Sequence, residues 1–141
     1  MAFRAILLAL GFVALIACGC FAAPLPEGCQ VTRIVDGDTL HLMCDGVEHK
    51  VRLLGYDSPE VFHPNCAAEK AAGERATVLL AKSVAEGPVT GVRIEGMDRY
   101  GRDLATVSIA GQDVTGFMLA SPLALPYAGH RHPDWCARLG G

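Results

Sequence analysis

The pattern of apolar and polar positions changes period several times along the chain. From Cys29 to Cys44, "CQVTRIVDGDTLHLMC" alternates roughly by two, with Asp36-Gly37 near its centre. Asp-Gly between two such runs predicts a hairpin. "HKVRLLGYD" predicts a third strand, Val51 to Leu54, ended by Gly55. From Cys66 the period becomes helical. In "CAAEKAAGERATVLLAKSVAE", Ala68, Ala72, Ala76, Leu79 or Leu80, and Val84 recur at steps of three and four. Glu69, Lys70, Glu74 and Arg75 take the other face, which reads as an ordinary solvated one. This predicts an amphipathic helix of about five turns, with Gly73 as its weak point. "GPVTGVRIEG" and "LATVSIAG" then predict two strands joined by "MDRYGRD"; "QDVTGFMLAS" predicts a short helix stopped by Pro122. "LALPYAGHRHPDW" reads as an irregular tail tied down at Cys136. Five strands, a helix after the third and a short C-terminal helix predict a mainly β, α+β fold. A small closed barrel suits that order better than a parallel βαβ sheet.

The start of the chain follows none of these periods. Arg4 precedes the uncharged run "AILLALGFVALIAC", which passes into small residues and Pro24. A positive start, a short apolar core and a small-residue exit make a secretory signal, expected to span 1–22 with cleavage after Ala22. "LIAC" (Leu15 to Cys18) also resembles a bacterial lipobox, which would lipidate Cys18 and anchor the protein to the envelope. Release to the periplasm or medium is the favoured expectation, with a single domain over 23–141. Of the 12 basic residues only Arg4 lies in the leader, so 11 face 15 acids in the mature chain. That balance excludes a general nucleic-acid coat, which would be basic. Any polyanion must meet a local positive site.

Six cysteines become four once the leader is removed: Cys29, Cys44, Cys66 and Cys136. An even count in an exported domain predicts two disulfides. A turn at Asp36-Gly37 sets Cys29 opposite Cys44, leaving Cys66 for Cys136. A zinc site built from cysteine with His130 and His132 competes poorly, because no C-x-x-C spacing is present.

Three segments carry polar residues beyond what turns require: "DGDT" (36–39), "RLLGYDSPE" (52–60) and "DRYGR" (98–102). Each has a local explanation, since Asp, Gly and Pro populate turns. The turns do not account for Asp38, Glu60, Arg52 or Arg102. With Asp57 these make three carboxylates and two guanidiniums, a set suited to phosphoryl chemistry. Hard oxygen ligands favour Ca²⁺ or Mg²⁺, and a planar guanidinium holds two phosphate oxygens at once. His41 and His49 read as strand-face residues. His63 lies close to Glu60 without an assigned role, and Trp135 is expected to pack over a disulfide.

"VDGDTL", "VRLLGYDSPE" and "DRYGR", in this order, resemble the thermonuclease (staphylococcal-nuclease-like) family over about Cys29 to Tyr127. "CAAEKAAGERAT" and the terminal "WC" resemble an exported bacterial branch of it. The resemblance implies a five-stranded OB barrel with helices, and calcium-dependent cleavage of DNA and RNA that leaves 3′-phosphate ends with little base preference. It implies that Asp38, Asp57 and the Ser58 carbonyl bind Ca²⁺, and that Glu60 is the general base. Arg52 and Arg102 would clamp the phosphate, with Tyr100 near the 5′-phosphate and Tyr127 matched across a gap. A monomer without a stable protein partner is expected. Ser58 replaces the family's threonine, the loop after Glu60 lacks lysines, and Pro122 stands where a glycine is common. The competing reading is a non-catalytic nucleic-acid- or partner-binding OB module of the cell envelope. A disulfide-stapled structural protein is the third. The binding module should show losses among the five active groups, and none is lost; calcium-dependent stabilisation by a nucleoside bisphosphate would argue against the structural protein.

Overall fold

The computed structural model describes residues 28–140, so the expected leader and Cys18 lie outside the described residues. Five longer strands form the main sheet: β1 (Gln30–Ile34), β2 (Thr39–Cys44), β3 (Val47–Leu53), β5 (Val89–Met97) and β6 (Asp103–Ile109). Between β3 and β5 come the short β4 (Gly55–Asp57) and the long helix α1 (Ala67–Ala85). After β6 come β7 (Gln112–Asp113), α2 (Val114–Leu119), β8 (Leu125–Tyr127) and α3 (Trp135–Leu139). The main sheet runs β1-β2-β3-β6-β5, with β7 on β6, and β4 pairs with β8 in a second small sheet. This is an OB-type α+β fold.

Two expectations need correction. A closed barrel was expected, but no pairing among the described residues joins β1 to β5, and the sheet stays open. Both edge strands carry register shifts, at Val31/Arg33 in β1 and at Val89/Gly91 and Ile94/Gly96 in β5. Such bulges twist an edge and interrupt its pairing. The tail is also more ordered than its composition suggested, containing both β8 and α3. Its sequence has no period because its partners lie far back in the chain, at β4 and α1.

The two Asp-Gly pairs behave differently. Asp45-Gly46 makes the tight hairpin between β2 and β3, with φ of 49° and 80°, the doubly positive geometry that suits strand twist. Asp36-Gly37 sits in a wider loop closed by Val35 N–H on Thr39 O at 2.9 Å. Gly37 is there for space: a Cβ would lie 2.7 Å from Ala76 Cβ and 2.8 Å from Ser58 Oγ. The wider loop still sets Cys29 against Cys44, and that disulfide forms with Cα atoms 4.2 Å apart. Cys66 pairs with Cys136, 70 residues on.

The core lies between the sheet and the helices. Leu40, Leu42, Val51, Leu53, Tyr56, Leu80 and Met118 are all fully buried, each worth roughly 1.5–3 kcal/mol on folding. α1 buries Ala72, Gly73, Ala76 and Leu80, close to the face its period predicted. Glu69 is the exception. Expected on a solvated face, it is only 4% exposed, because the Cys66–Cys136 bridge and the loop before α1 cover that first turn. Gly73 accommodates the same loop. A Cβ there would stand 2.6 Å from Pro59 O and 3.0 Å from Glu60 O.

Candidate active site

Strand register assembles the first half of the site. β2 and β3 pair with Thr39 opposite Arg52, which puts Asp38 beside the guanidinium. β3 then runs through Gly55 into β4, whose last residue is Asp57. Arg52 Nη2 lies 3.2 Å from Asp38 Oδ2 and 3.5 Å from Asp57 Oδ1. The same guanidinium donates to the carbonyls of Leu53 and Tyr56. Asp38 also accepts from the Thr39 hydroxyl at 2.9 Å, the Ser58 hydroxyl at 3.1 Å and the Ser58 N–H at 3.3 Å. Arg52 and all of these acceptors are buried, so the guanidinium clamps two acids from two strand ends. The expected phosphate contact of Arg52 therefore starts from a residue already engaged.

Loops supply the second half. Glu60 is exposed, and its Oε1 accepts the N–H groups of Val61 at 2.9 Å and Phe62 at 2.8 Å. Its Oε2 takes no protein hydrogen bond among the described residues. Glu69, buried beneath, accepts from Asn65 N–H at 2.7 Å and more weakly from Glu60 N–H at 3.5 Å. Both ends of the Glu60–Asn65 loop thus rest on one carboxylate. Parallel pairing of β3 with β6, Arg52 opposite Leu104, brings the 98–102 turn to the same end of the sheet. Arg102 donates through Nε to Asp98 Oδ2 at 2.8 Å and through Nη1 to Thr39 Oγ1 at 3.4 Å. Tyr100 is 68% exposed, with the Arg99 and Arg102 guanidiniums 4.7 and 5.7 Å from its ring centre.

Asp38, Arg52, Asp57, Ser58, Glu60, Tyr100 and Arg102 all line one cleft of about 540 Å³. Tyr127 is the site candidate that does not. It lines an adjoining, more apolar cleft of about 840 Å³ that shares Arg52, Tyr100, Arg102 and His132 with the first. Its ring centre lies 5.9 Å from the Arg52 guanidinium. His63 lines the acid cleft, whereas His41 and His49 stay on the strands, paired with Glu48 and Asp103.

Among the lining residues that sequence reasoning did not assign to the site are Asp36, Glu69, His132 and Trp135. Asp36 was assigned to a turn alone, yet its Oδ1 accepts the Asp38 N–H at 3.0 Å. Trp135 donates its indole N–H to Asp57 Oδ2 at 2.8 Å, and His132 Nδ1 lies 2.7 Å from Asp57 Oδ1. A carboxylate only accepts, so that contact puts the ring proton on Nδ1. In the neutral ring Nε2 then accepts from the Tyr127 hydroxyl at 3.3 Å, and the two rings stack at 4.7 Å. A nearby "HRH" beside a tryptophan was the only signal in the sequence.

Charge in the cleft is unbalanced. Burial, and then the neighbouring Asp38, push the Asp36 carboxyl up to about 6. Burial and Asp38 also raise the Tyr56 hydroxyl, which donates to Gly37 O at 2.9 Å. Asp98 moves the other way: its partial burial acts upward, but hydrogen bonds from Arg102 and Tyr100 hold it below the usual carboxylate range. Asp38 and Asp57 share one buried arginine and Asp36 lies beside Asp38, which leaves a local excess of negative charge. Asp38 and Asp57, two hard carboxylates beside the same guanidinium, are the donor type that suits a divalent cation such as Ca²⁺ or Mg²⁺.

An open OB-type sheet whose one end gathers acids and guanidiniums in a cleft defines the class of domain. Residues 50–135 match the family model described as "Staphylococcal nuclease homologue", and the chain belongs to that family. The matched segment contains Arg52, Asp57, Glu60 and Arg102, while Asp36 and Asp38 join it through the β2–β3 pairing. The chain is 36% identical to the thermonuclease of Staphylococcus intermedius over 85 residues, 57% of this chain and 48% of that protein. It is 41% identical to Protein ParB of Escherichia coli over 78 residues, 55% of this chain and 40% of that one. An uncharacterized endonuclease of Haemophilus influenzae is 33% identical over 105 residues, 74% of this chain and 54% of that one. The chain spans about half the length of these curated relatives.

Proposed function

We propose that the protein is an exported, divalent-cation-dependent nuclease that hydrolyses phosphodiesters in DNA and RNA with low base specificity. One observation carries this reading: the cation-ligating, basic and guanidinium groups come from three separate segments and line a single cleft. The names of the thermonuclease and endonuclease relatives agree with it. Two disulfides suit a protein that folds in an oxidising compartment.

Asp38, Asp57 and the Ser58 carbonyl would hold the cation, Ca²⁺ by the family's pattern. When bound, the cation supplies a positive charge against which a phosphate can dock beside the acids. The remaining work falls to this chain's residues. Glu60, held by two backbone amides on Oε1, takes a proton from the attacking water on Oε2. Arg102 binds the phosphate from the open side and Arg52 from the buried side. Together they neutralise charge that builds on the phosphorus oxygens in the transition state. A 3′-phosphate product requires departure of the 5′-oxygen. Tyr100 lies beside the arginines, and Tyr127 with the apolar cleft accommodates an adjoining nucleoside. So few basic contacts on an acidic chain make binding weak and strongly salt-dependent.

The test uses oxidised protein from Ala23 onward and single-stranded DNA at low salt, with Ca²⁺ or chelator, beside Glu60→Gln. Cation-dependent cleavage that falls by orders of magnitude in the variant supports the proposal. Intact DNA and RNA under every cation tried would leave the binding module in its place.

A further inference from the structure

Asp57 is bonded more fully than a residue at a strand end requires. Trp135 N–H reaches its Oδ2 at 2.8 Å, while His132 Nδ1 and Arg52 Nη2 approach its Oδ1 at 2.7 and 3.5 Å. Two of these three partners come from the tail, 75 and 78 positions along the chain. An ionised carboxylate has about four acceptor positions; the hydrogen bonds from Trp135 and His132 take one on each oxygen, and the Arg52 guanidinium adds only a nearby positive charge.

The tail is fastened on both sides of this contact. Upstream, β8 pairs with β4 residue by residue, ending with Leu125 opposite Asp57 itself. Downstream, Cys136 is bridged to Cys66, the N-cap of α1, with Cα atoms 6.0 Å apart. α3 has only five residues, too few to dock on its own strength. A tryptophan buried for packing alone could pair its N–H with a backbone carbonyl. This one, 3% exposed, spends it on a carboxylate that faces the cleft.

We propose that Trp135 and His132 are positioning residues: they fix the Asp57 carboxylate so that its remaining acceptor positions meet the cation. The Cys66–Cys136 disulfide delivers them. The inference rests on the cation-dependent reading of the same cleft. The indole donor keeps its proton at any working pH, and its ring is locked by burial. Asp57 is thereby held in one orientation before a cation arrives. Outer partners of this kind typically change metal affinity 10–100-fold when removed.

The experiment is Ca²⁺ titration by calorimetry on the exported, oxidised protein, with cation-free melting followed by circular dichroism. Trp135→Phe keeps the ring and removes the donor. His132→Ala removes the second donor at a side chain that is 69% exposed, so its fold is retained even if Trp135→Phe is unstable. Each is expected to weaken Ca²⁺ about 10–100-fold, and His132→Asn, which keeps a donor, recovers most of the loss. Cys136→Ser reproduces the weakening, while His130→Ala on the same tail does not. Wild-type affinity in both Trp135→Phe and His132→Ala overturns the inference. If Asp57→Asn abolishes binding in that case, the cation site stands and only the role of the tail falls. A wild-type protein that binds neither Ca²⁺, Mg²⁺ nor Mn²⁺ overturns the cation-dependent reading together with the inference.

Discussion

Asp38, Arg52 and Asp57 are 8%, 8% and 4% exposed at the ends of strands, whereas Glu60 and Tyr100 stand in solvent on loops. The buried half is saturated with bonds: one guanidinium serves two carboxylates and two carbonyls. The exposed half is sparsely bonded, and the Glu60 carboxylate is held only by two amides of its own loop. The difference follows from the tasks. Charges that must keep a fixed spacing are placed where the fold cannot relax, while a group that exchanges protons with water stays next to water. The buried half therefore affects stability as well as rate, and the exposed half affects rate alone.

Glu60→Gln should break activity and little else. Loss of a general base costs about 10²–10⁴ in rate, and the melting temperature should stay at the wild-type value. A large fall in melting temperature would refute the division. Arg52→Ala should lose activity and also destabilise the fold by roughly 3–5 kcal/mol, because Asp38 and Asp57 stay buried without their partner. Urea unfolding in the absence of cation measures this, and an unchanged midpoint would contradict the clamp.

A smaller effect concerns pH. Asp36 is raised to about 6 in the folded protein from an ordinary 3.8, so the fold gains by its protonation. That contribution is complete below pH 3.8 and lost as pH rises through 6. Asp36→Asn should stabilise the cation-free protein at pH 7 by on the order of 2 kcal/mol and flatten its stability between pH 4 and 6. Ca²⁺ should remove much of that gain if the cation sits among these acids. The smallest effect belongs to the exposed turn. Asp98 is lowered in the folded state, so its contribution is present above pH 3.8 and lost as pH falls further. Asp98→Asn should cost less than about 1 kcal/mol at pH 7, visible in a melt at neutral pH and absent at pH 2.

Much of this was legible from single residues. The alternation around Asp36 located the first hairpin and with it the Cys29–Cys44 bridge, and the three-and-four period located α1. Asp38, Arg52, Glu60 and Arg102 stood out because turn chemistry did not account for them, and Asp57 joined them as a further hard ligand. What periodicity cannot show is which distant segment covers a face. Glu69 sits between Lys70 and Glu74 in the pattern of a wet surface, and only the Cys66–Cys136 bridge and the Asn65 amide make its position dry. Trp135 and His132 lie in a stretch without period, and their partner Asp57 is more than seventy residues away. Barrel closure was misread for a similar reason: strand count is local, whereas whether β1 and β5 pair depends on register across the whole sheet.

Gly73 leaves a practical warning for anyone evolving a hardier version of this protein. Glycine inside a helix is disfavoured by about 1 kcal/mol relative to alanine, so a consensus-style screen for heat resistance would favour alanine at this position. The added methyl would meet Pro59 O at 2.6 Å and Glu60 O at 3.0 Å, lifting the loop that presents Glu60. Selection for survival on heating and selection for turnover should therefore choose different residues at position 73.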